Sequence, residues 1–168
     1  LATTVPNCVA YDPTYAYELA VIVQDGLRRM YAEQENVFYY ITCMNENYAH
    51  PALPNGAEEG ILKGMYRLRA GGRGKVRVNL LGSGTILREA IGAAELLEAE
   101  FGVPADVFSV TSFSELRREA LDAERWNMLH PGQAPRTPYV KELLAGQSGP
   151  FVAATDYMRT VPDQIRQW

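Results

Sequence analysis

Six consecutive residues, Val37-Phe38-Tyr39-Tyr40-Ile41-Thr42, are all β-branched or aromatic, and none is charged. A run of that make-up reads as a buried strand, of the kind found in parallel sheets with both faces covered. A helical pattern precedes it. Tyr15, Leu19, Ile22, Val23, Leu27 and Met30 recur at the spacing of one helix face, with Asp25, Arg28 and Arg29 largely on another. The spacing predicts an amphipathic helix from about Thr14 to Glu33. Asp12-Pro13 suits its start, because a carboxylate caps free N–H groups and Pro fits the first helical position. Cys8-Val9-Ala10 before it reads as a short strand, so the opening is strand, helix, strand.

The alternation resumes after a loop, MNENYAHPALPNG, whose Asn, Pro and Gly content marks it as the candidate domain boundary. Ala57 to Gly64 reads as a short helix and Met65 to Arg69 as a strand. The turn Ala70-Gly71-Gly72-Arg73-Gly74 leads into a strand over Lys75–Leu81. Gly82-Ser83-Gly84 then opens a helix from Thr85 to Phe101. Asp106 to Val110 is a strand, and Ser112 or Ser114 caps a helix carrying Leu116, Ala120 and Trp126. Phe151 to Ala154 is a strand, and a last helical stretch follows Thr155-Asp156. This rhythm predicts an α/β fold, a doubly wound parallel or mixed sheet with helices on both faces. There are no internal repeats.

Composition removes several function classes. At 168 residues the chain has the size of one ordinary domain, or at most two small ones. An apolar share of 47% with 21% charged residues excludes intrinsic disorder. A net charge of −4 argues against nucleic acid or an anionic membrane as the main partner. No apolar run reaches the roughly 18 residues of a membrane span. The first residues lack the basic-then-apolar order of a signal peptide and lack an initiator Met. With the aromatic end at Trp168, this reads as a chain cut from something longer. Two cysteines cannot make a disulfide scaffold, and Cys8 and Cys43 both read as small buried thiols of a reducing compartment.

Each candidate for chemistry has a plainer structural reading. Gly82-Ser83-Gly84 lies between strand and helix, where backbone N–H groups can hold a phosphate. It matches neither GxGxxG, since Leu87 stands at the third glycine, nor GxSxG, nor a P-loop, and reads as a tight turn. Lys63, Arg67, Arg69, Arg73, Lys75 and Arg77 form a basic run, which reads as a solvated or interdomain hairpin face rather than an anion site. His50 and His130 each precede a proline with no acid or nucleophile at a telling spacing, and read as structural. Glu46, Glu58 and Glu59 could serve as acid or base, but nothing marks one as desolvated. Cys43, at the end of an apolar strand, is a possible nucleophile but reads as an inert buried thiol. No constellation closes into an active site.

Longer strings carry a resemblance. PNCVAYDPTYAYELAVIVQDGLRRMY and ENVFYYITCMNENYAHPALPNGAEEGILKGMYRL, then LLGSGTILREAI, DVFSVTSFSELRREALDAERWNMLHP and VAATDYMR, resemble in order the homodimeric pyruvate dehydrogenase (acetyl-transferring) family. Its members are thiamine-diphosphate decarboxylases. The resemblance implies that residues 1–50 are the end of a transketolase-like middle, pyrimidine-binding domain. Residues 51–168 are then most of a transketolase-like C-terminal domain, truncated.

The implied activity of the whole protein is oxidative decarboxylation of pyruvate, with acetyl transfer to a lipoyl group on dihydrolipoyl acetyltransferase. The implied cofactors are thiamine diphosphate and Mg²⁺, the implied state a homodimer in the bacterial cytoplasm, with neither nucleic acid nor membrane as a partner. The family's activating glutamate, ring-stacking aromatics and active-channel histidines fall before Leu1. No catalytic, cofactor-binding or metal residue is therefore assigned, and His50 is not promoted to one. The segment alone is expected to be inactive, to bind no cofactor, and to act mainly as structure that supports the dimer. The alternatives are a non-catalytic dimerisation or docking module, or a phosphate-binding Rossmann-like domain using Gly82–Gly84. Asn45-Glu46-Asn47-Tyr48 is expected to form a polar junction in which Asn47 satisfies stranded backbone groups.

Overall fold

The computed structural model describes residues 2–168. After a 3-10 turn at Ala2–Thr4, strand β1 (Cys8–Tyr11) leads to helix α1 (Ala16–Leu27), which widens into a π-helical turn over Arg28–Ala32. Strand β2 (Phe38–Ile41) returns parallel to β1, pairing Cys8 with Phe38 and Tyr11 with Ile41. These two strands form a sheet of their own. The long connection that follows ends in α2 (Glu58–Lys63) and a second sheet. There β3 (Met65–Arg69), β4 (Val78–Gly82), β5 (Ala105–Val110) and β6 (Phe151–Ala154) lie in the order β3-β5-β4-β6. β4 runs parallel to β5 and β6, while β3 is antiparallel to β5, so the sheet is mixed.

Helices cover both faces of the second sheet, and the two-residue period of the strands sorts the core between them. Val78, Leu80, Ala105 and Val107 face α3 (Ile86–Phe101) through Leu87, Ala90 and Ala94. Met65, Leu81, Phe108 and Val110 face α4 (Phe113–Leu129), α5 (Tyr139–Leu144) and a 3-10 turn at Pro162–Ile165. Phe108 has no exposed surface, and burying a side chain of that size contributes about 2–3 kcal/mol. A third cluster joins Val9, Tyr11 and Ile22 to Ala57, Ile61 and Tyr66, so β3 also closes the core of the first sheet.

Three expectations are corrected. β2 is not covered on both faces: Phe38 and Tyr40 are 46% and 55% exposed, because β2 is the edge of a two-stranded sheet with α1 on one side only. The basic run is not a hairpin, since β5 is inserted between β3 and β4. Lys75 and Arg77 precede β4, Arg69 pairs with Glu95 and Glu98 on α3, and Arg77 turns inward to the buried Asp106. Cys8 is buried as expected, but Cys43 is exposed, one residue past Thr42 where the chain leaves the sheet. Helix α5 was not anticipated, although Thr137-Pro138 before Tyr-Val-Lys-Glu-Leu-Leu is an adequate start signal.

Candidate functional site

The carboxyl ends of the parallel strands of both sheets converge, and the chain just after β1 lies across them. The Asp12 N–H donates to the Thr111 carbonyl at the end of β5 (2.7 Å), and the Asp12 carbonyl accepts from the Gly84 N–H beyond β4 (3.2 Å). Thr14 Oγ1 donates to the Gly84 carbonyl at 2.6 Å. The helices that follow β4 and β5 pack on opposite faces, which makes this the crevice where doubly wound domains hold ligands. Here residues 12–14 of the chain itself fill it.

Asp12 is not the helix cap that the sequence suggested. Tyr15 takes the capping position and α1 begins at Ala16, while the Asp12 carboxylate turns to the end of β2, just past which Thr42 Oγ1 donates to it at 2.5 Å. The Ser83 hydroxyl faces it too and bonds Thr155 Oγ1 at 2.9 Å. Burial pushes the Asp12 carboxyl above its ordinary range, the hydroxyls of Thr42 and Ser83 hold it back, and the charge of Asp156 adds to the rise. A folded value above the unfolded one means that ionised Asp12 subtracts stability at neutral pH. That penalty fades as the pH falls towards the unfolded value of about 4. Asp12→Asn is therefore expected to raise the melting temperature at pH 7, with the gain closing as the pH approaches 4. Thermal melts across that range check it.

A second carboxylate, Glu18, is wholly buried and wholly satisfied. Its Oε2 accepts from the N–H groups of Thr14 (2.6 Å) and Tyr15 (2.9 Å), and its Oε1 from Tyr66 OH (2.7 Å) and Ser109 Oγ (2.6 Å). One side chain thus closes the two N–H groups that lead into α1 and pins that helix to β3 and β5. Because Tyr66 OH already donates to Glu18, Tyr17 OH is the donor to Tyr66 across 2.5 Å. Burial pushes the Tyr17 phenol up to about 12, and burial with the Glu18 charge pushes Tyr66 higher still. Both phenols stay protonated and serve as donors.

Outside this buried network, Tyr15, Tyr17, Tyr48 and His50 form an aromatic cluster over the start of α1. Tyr48 OH donates to the Thr14 carbonyl. Arg88 lies 4.5 Å over the Tyr48 ring and pairs with Glu46 at 2.9 Å. Asn47, expected to hold the junction, is exposed and makes no hydrogen bond among the described residues, because the loop turns it outward while Tyr48 packs inward. Asn47→Ala is accordingly expected to shift stability by no more than about 0.5 kcal/mol. Tyr48→Ala, which removes packing and a hydrogen bond, should cost about 2 kcal/mol. Urea unfolding of both variants checks the pair.

Comparison with known proteins now has a geometry to meet. Residues 1–51 match the family described as the pyruvate dehydrogenase E1 component middle domain. Residues 64–167 match the transketolase-like TK C-terminal domain. The chain belongs to the transketolase-like family, in its pyruvate dehydrogenase E1 branch. It is 61% identical over its full length to the pyruvate dehydrogenase E1 component of Pseudomonas aeruginosa, of which it covers 19%. It is 57% identical over 98% of its length to that of Escherichia coli K12, covering 18% of that protein. The chain therefore spans about a fifth of these relatives. A transketolase of Pichia stipitis superposes with a TM-score of 0.60 at 18% identity, over 95% of this chain and 19% of the other, which shows a shared fold.

Within this E1-type segment the structure distributes the sequence's candidates widely. His50 accepts the Ala16 N–H at Nδ1 (3.1 Å). His130 stacks on Trp126, with centroids 4.5 Å apart, and bonds the Trp126 carbonyl. Glu59 pairs with Lys63 on the surface of α2, and Glu46 is the partner of Arg88. Glu58 and Cys43 join no cluster. The glycine turn does not fit a diphosphate. The Gly84 N–H is taken by the Asp12 carbonyl, and both Asp12 carboxylate oxygens lie 2.9 Å from where a Cβ of residue 84 would stand. Among the described residues, no three His, Cys, Asp or Glu side chains gather where a metal ion would need them. No helix among them is long and apolar enough to cross a membrane.

Proposed function

We propose that this chain is the joint between the middle and C-terminal domains of a pyruvate dehydrogenase E1 component. Residues 1–50 would be the end of the pyrimidine-binding domain and residues 51–168 most of the C-terminal domain. The complete protein would decarboxylate pyruvate oxidatively and pass the acetyl group to a lipoyl group of dihydrolipoyl acetyltransferase. It would act as a homodimer in the cytoplasm. The identity of 61% along the whole chain to an E1 component supports this reading most directly.

Thiamine diphosphate would supply the electron sink for loss of CO₂. The present residues do not fit its diphosphate or Mg²⁺, so those contacts would lie elsewhere in the polypeptide. The work of this segment is mechanical: Glu18, Tyr66 and Ser109 hold α1 against the second sheet, and the Asp12–Thr14 segment closes the strand ends. Both tasks fix how one domain sits on the next, and hence the shape of any site built between domains.

The test is the complete polypeptide that carries this sequence. Release of CO₂ from pyruvate that requires thiamine diphosphate and Mg²⁺, with acetylation of an added lipoyl domain, is the expected result. Release indifferent to the cofactor would overturn the proposal. The 168-residue chain on its own should show no saturable binding in calorimetry with thiamine diphosphate and Mg²⁺, and micromolar binding there would contradict the assigned role.

A further inference from the structure

His50 holds a contact that only a neutral imidazole can make. Its Nδ1 accepts the N–H of Ala16, the first residue of α1, at 3.1 Å. An acceptor Nδ1 carries a lone pair, so the ring proton resides on Nε2. The ring packs on Tyr48, with centroids 4.7 Å apart, and stands edge-on to Tyr15 at 6.3 Å. Tyr48 is in turn tied to the Thr14 carbonyl and covered by Arg88. His50 is thus the outermost clasp holding the β2–α2 connection, which joins the two sheets, onto the start of α1.

We infer that His50 is a protonation-sensitive latch on this connection. Adding a proton to Nδ1 replaces the acceptor with a donor that points at the Ala16 N–H, and the bond is lost. The new positive charge also faces the amino end of a helix, where the aligned peptide dipoles disfavour cations. The charged groups around it do not cancel this. On the loop, Glu46 is engaged with Arg88; from α3, the Arg88 guanidinium lies over Tyr48. On α1, Glu18 is saturated by four donors beneath Thr14 and Tyr15, while Tyr15 and Tyr17 are neutral phenols. The neutral and the protonated ring therefore make different contacts with the start of α1. In the acidic state the ring leaves Ala16 and the connection loosens around Tyr48, while the buried Glu18 network keeps α1 docked.

Hydrogen exchange read by mass spectrometry on the complete polypeptide tests this, using protection factors corrected for intrinsic exchange at pH 8.0 and pH 5.5. The wild type should lose protection roughly five- to tenfold at pH 5.5 in peptides covering residues 14–18 and 44–54. His50→Gln, whose side-chain oxygen accepts without titrating, should respond little to pH. His50→Phe keeps the stacking without an acceptor and should be less protected at both pH values. A wild-type response matched by His50→Gln, or no wild-type response, would overturn the latch. If His50→Gln does not fold, wild type and His50→Phe decide: an equal pH response in the two would also overturn it.

Discussion

Replacing Glu18 by alanine is expected to lower stability by about 3–5 kcal/mol, because several buried donors lose the acceptor they share. The physical reason is the number of donors left behind. Two backbone N–H groups at the start of α1 and the hydroxyls of Tyr66 and Ser109 all end on this carboxylate. Each buried donor without a partner costs about 1–3 kcal/mol, although hydroxyls can turn elsewhere and backbone N–H groups cannot. Glu18→Gln separates the two kinds. Its oxygen can serve the N–H pair, while its amide meets hydroxyls able to rotate into acceptors, so the loss should be about 1–2 kcal/mol. Equilibrium unfolding in urea reads both. A Glu18→Ala chain as stable as Glu18→Gln would show that the N–H pair at the helix start is not what the carboxylate secures.

Gly82→Ala should cost about 2–3 kcal/mol, by overpacking. An ideal Cβ there would stand 2.6 Å from Leu87 Cα and 3.1 Å from the Leu87 nitrogen. Those are backbone atoms in the first turn of α3, so either β4 or the helix must move. Gly84→Ala differs in kind: its φ of +53° strains any side chain, and its neighbour is the Asp12 carboxylate rather than backbone. About 1–2 kcal/mol is expected for it. A double-mutant cycle distinguishes the two sites. Removing the carboxylate with Asp12→Ala should recover part of the Gly84→Ala loss and none of the Gly82→Ala loss. Recovery of both would mean that the helix contact is softer than its geometry.

Most elements were legible because their signals are local. The periodicity of Tyr15 to Met30 placed α1 together with its π-helical extension to within a turn, and Ser112 does cap α4, accepting from the Glu115 N–H at 3.1 Å. Local signals failed where a partner decides. The uncharged run around Phe38 specifies a strand, but how many neighbours cover it is a property of the sheet, not of the run. The Asp12-Pro13 pair looked like a helix start because capping is a local habit; the carboxylate instead found Thr42, thirty residues away. Glu18 stands three residues beyond Tyr15, the spacing of a capping box, so its reach back to the helix start was discoverable. Its bonds to Tyr66 and Ser109 were not, since nothing in the neighbourhood of residue 18 names residues 48 and 91 positions further on. The basic run misled in the opposite sense at two positions: Arg69 and Arg77 looked free until α3 and Asp106 supplied acids from other elements.

The self-filled crevice bears on how this lineage can vary. In most doubly wound domains the loops at the carboxyl ends of the strands are free to diverge, and new specificities arise by exchanging them while the scaffold stays fixed. Here those loops are mortar. Any insertion at Gly82–Gly84, Thr111 or Thr155 displaces residues 12–14 and loosens one sheet from the other before it can create a binding surface. The opposite rim is hardly freer at its glycines, since a Cβ would stand 2.6 Å from the Ala105 carbonyl oxygen at Gly71 and 1.9 Å from the Arg77 carbonyl oxygen at Gly149. Tolerated change is therefore steered to the exposed Gly72, Arg73, Lys75 and Val76 between β3 and β4. A library randomised at those four positions should yield folded variants far more often than one randomised at the strand ends.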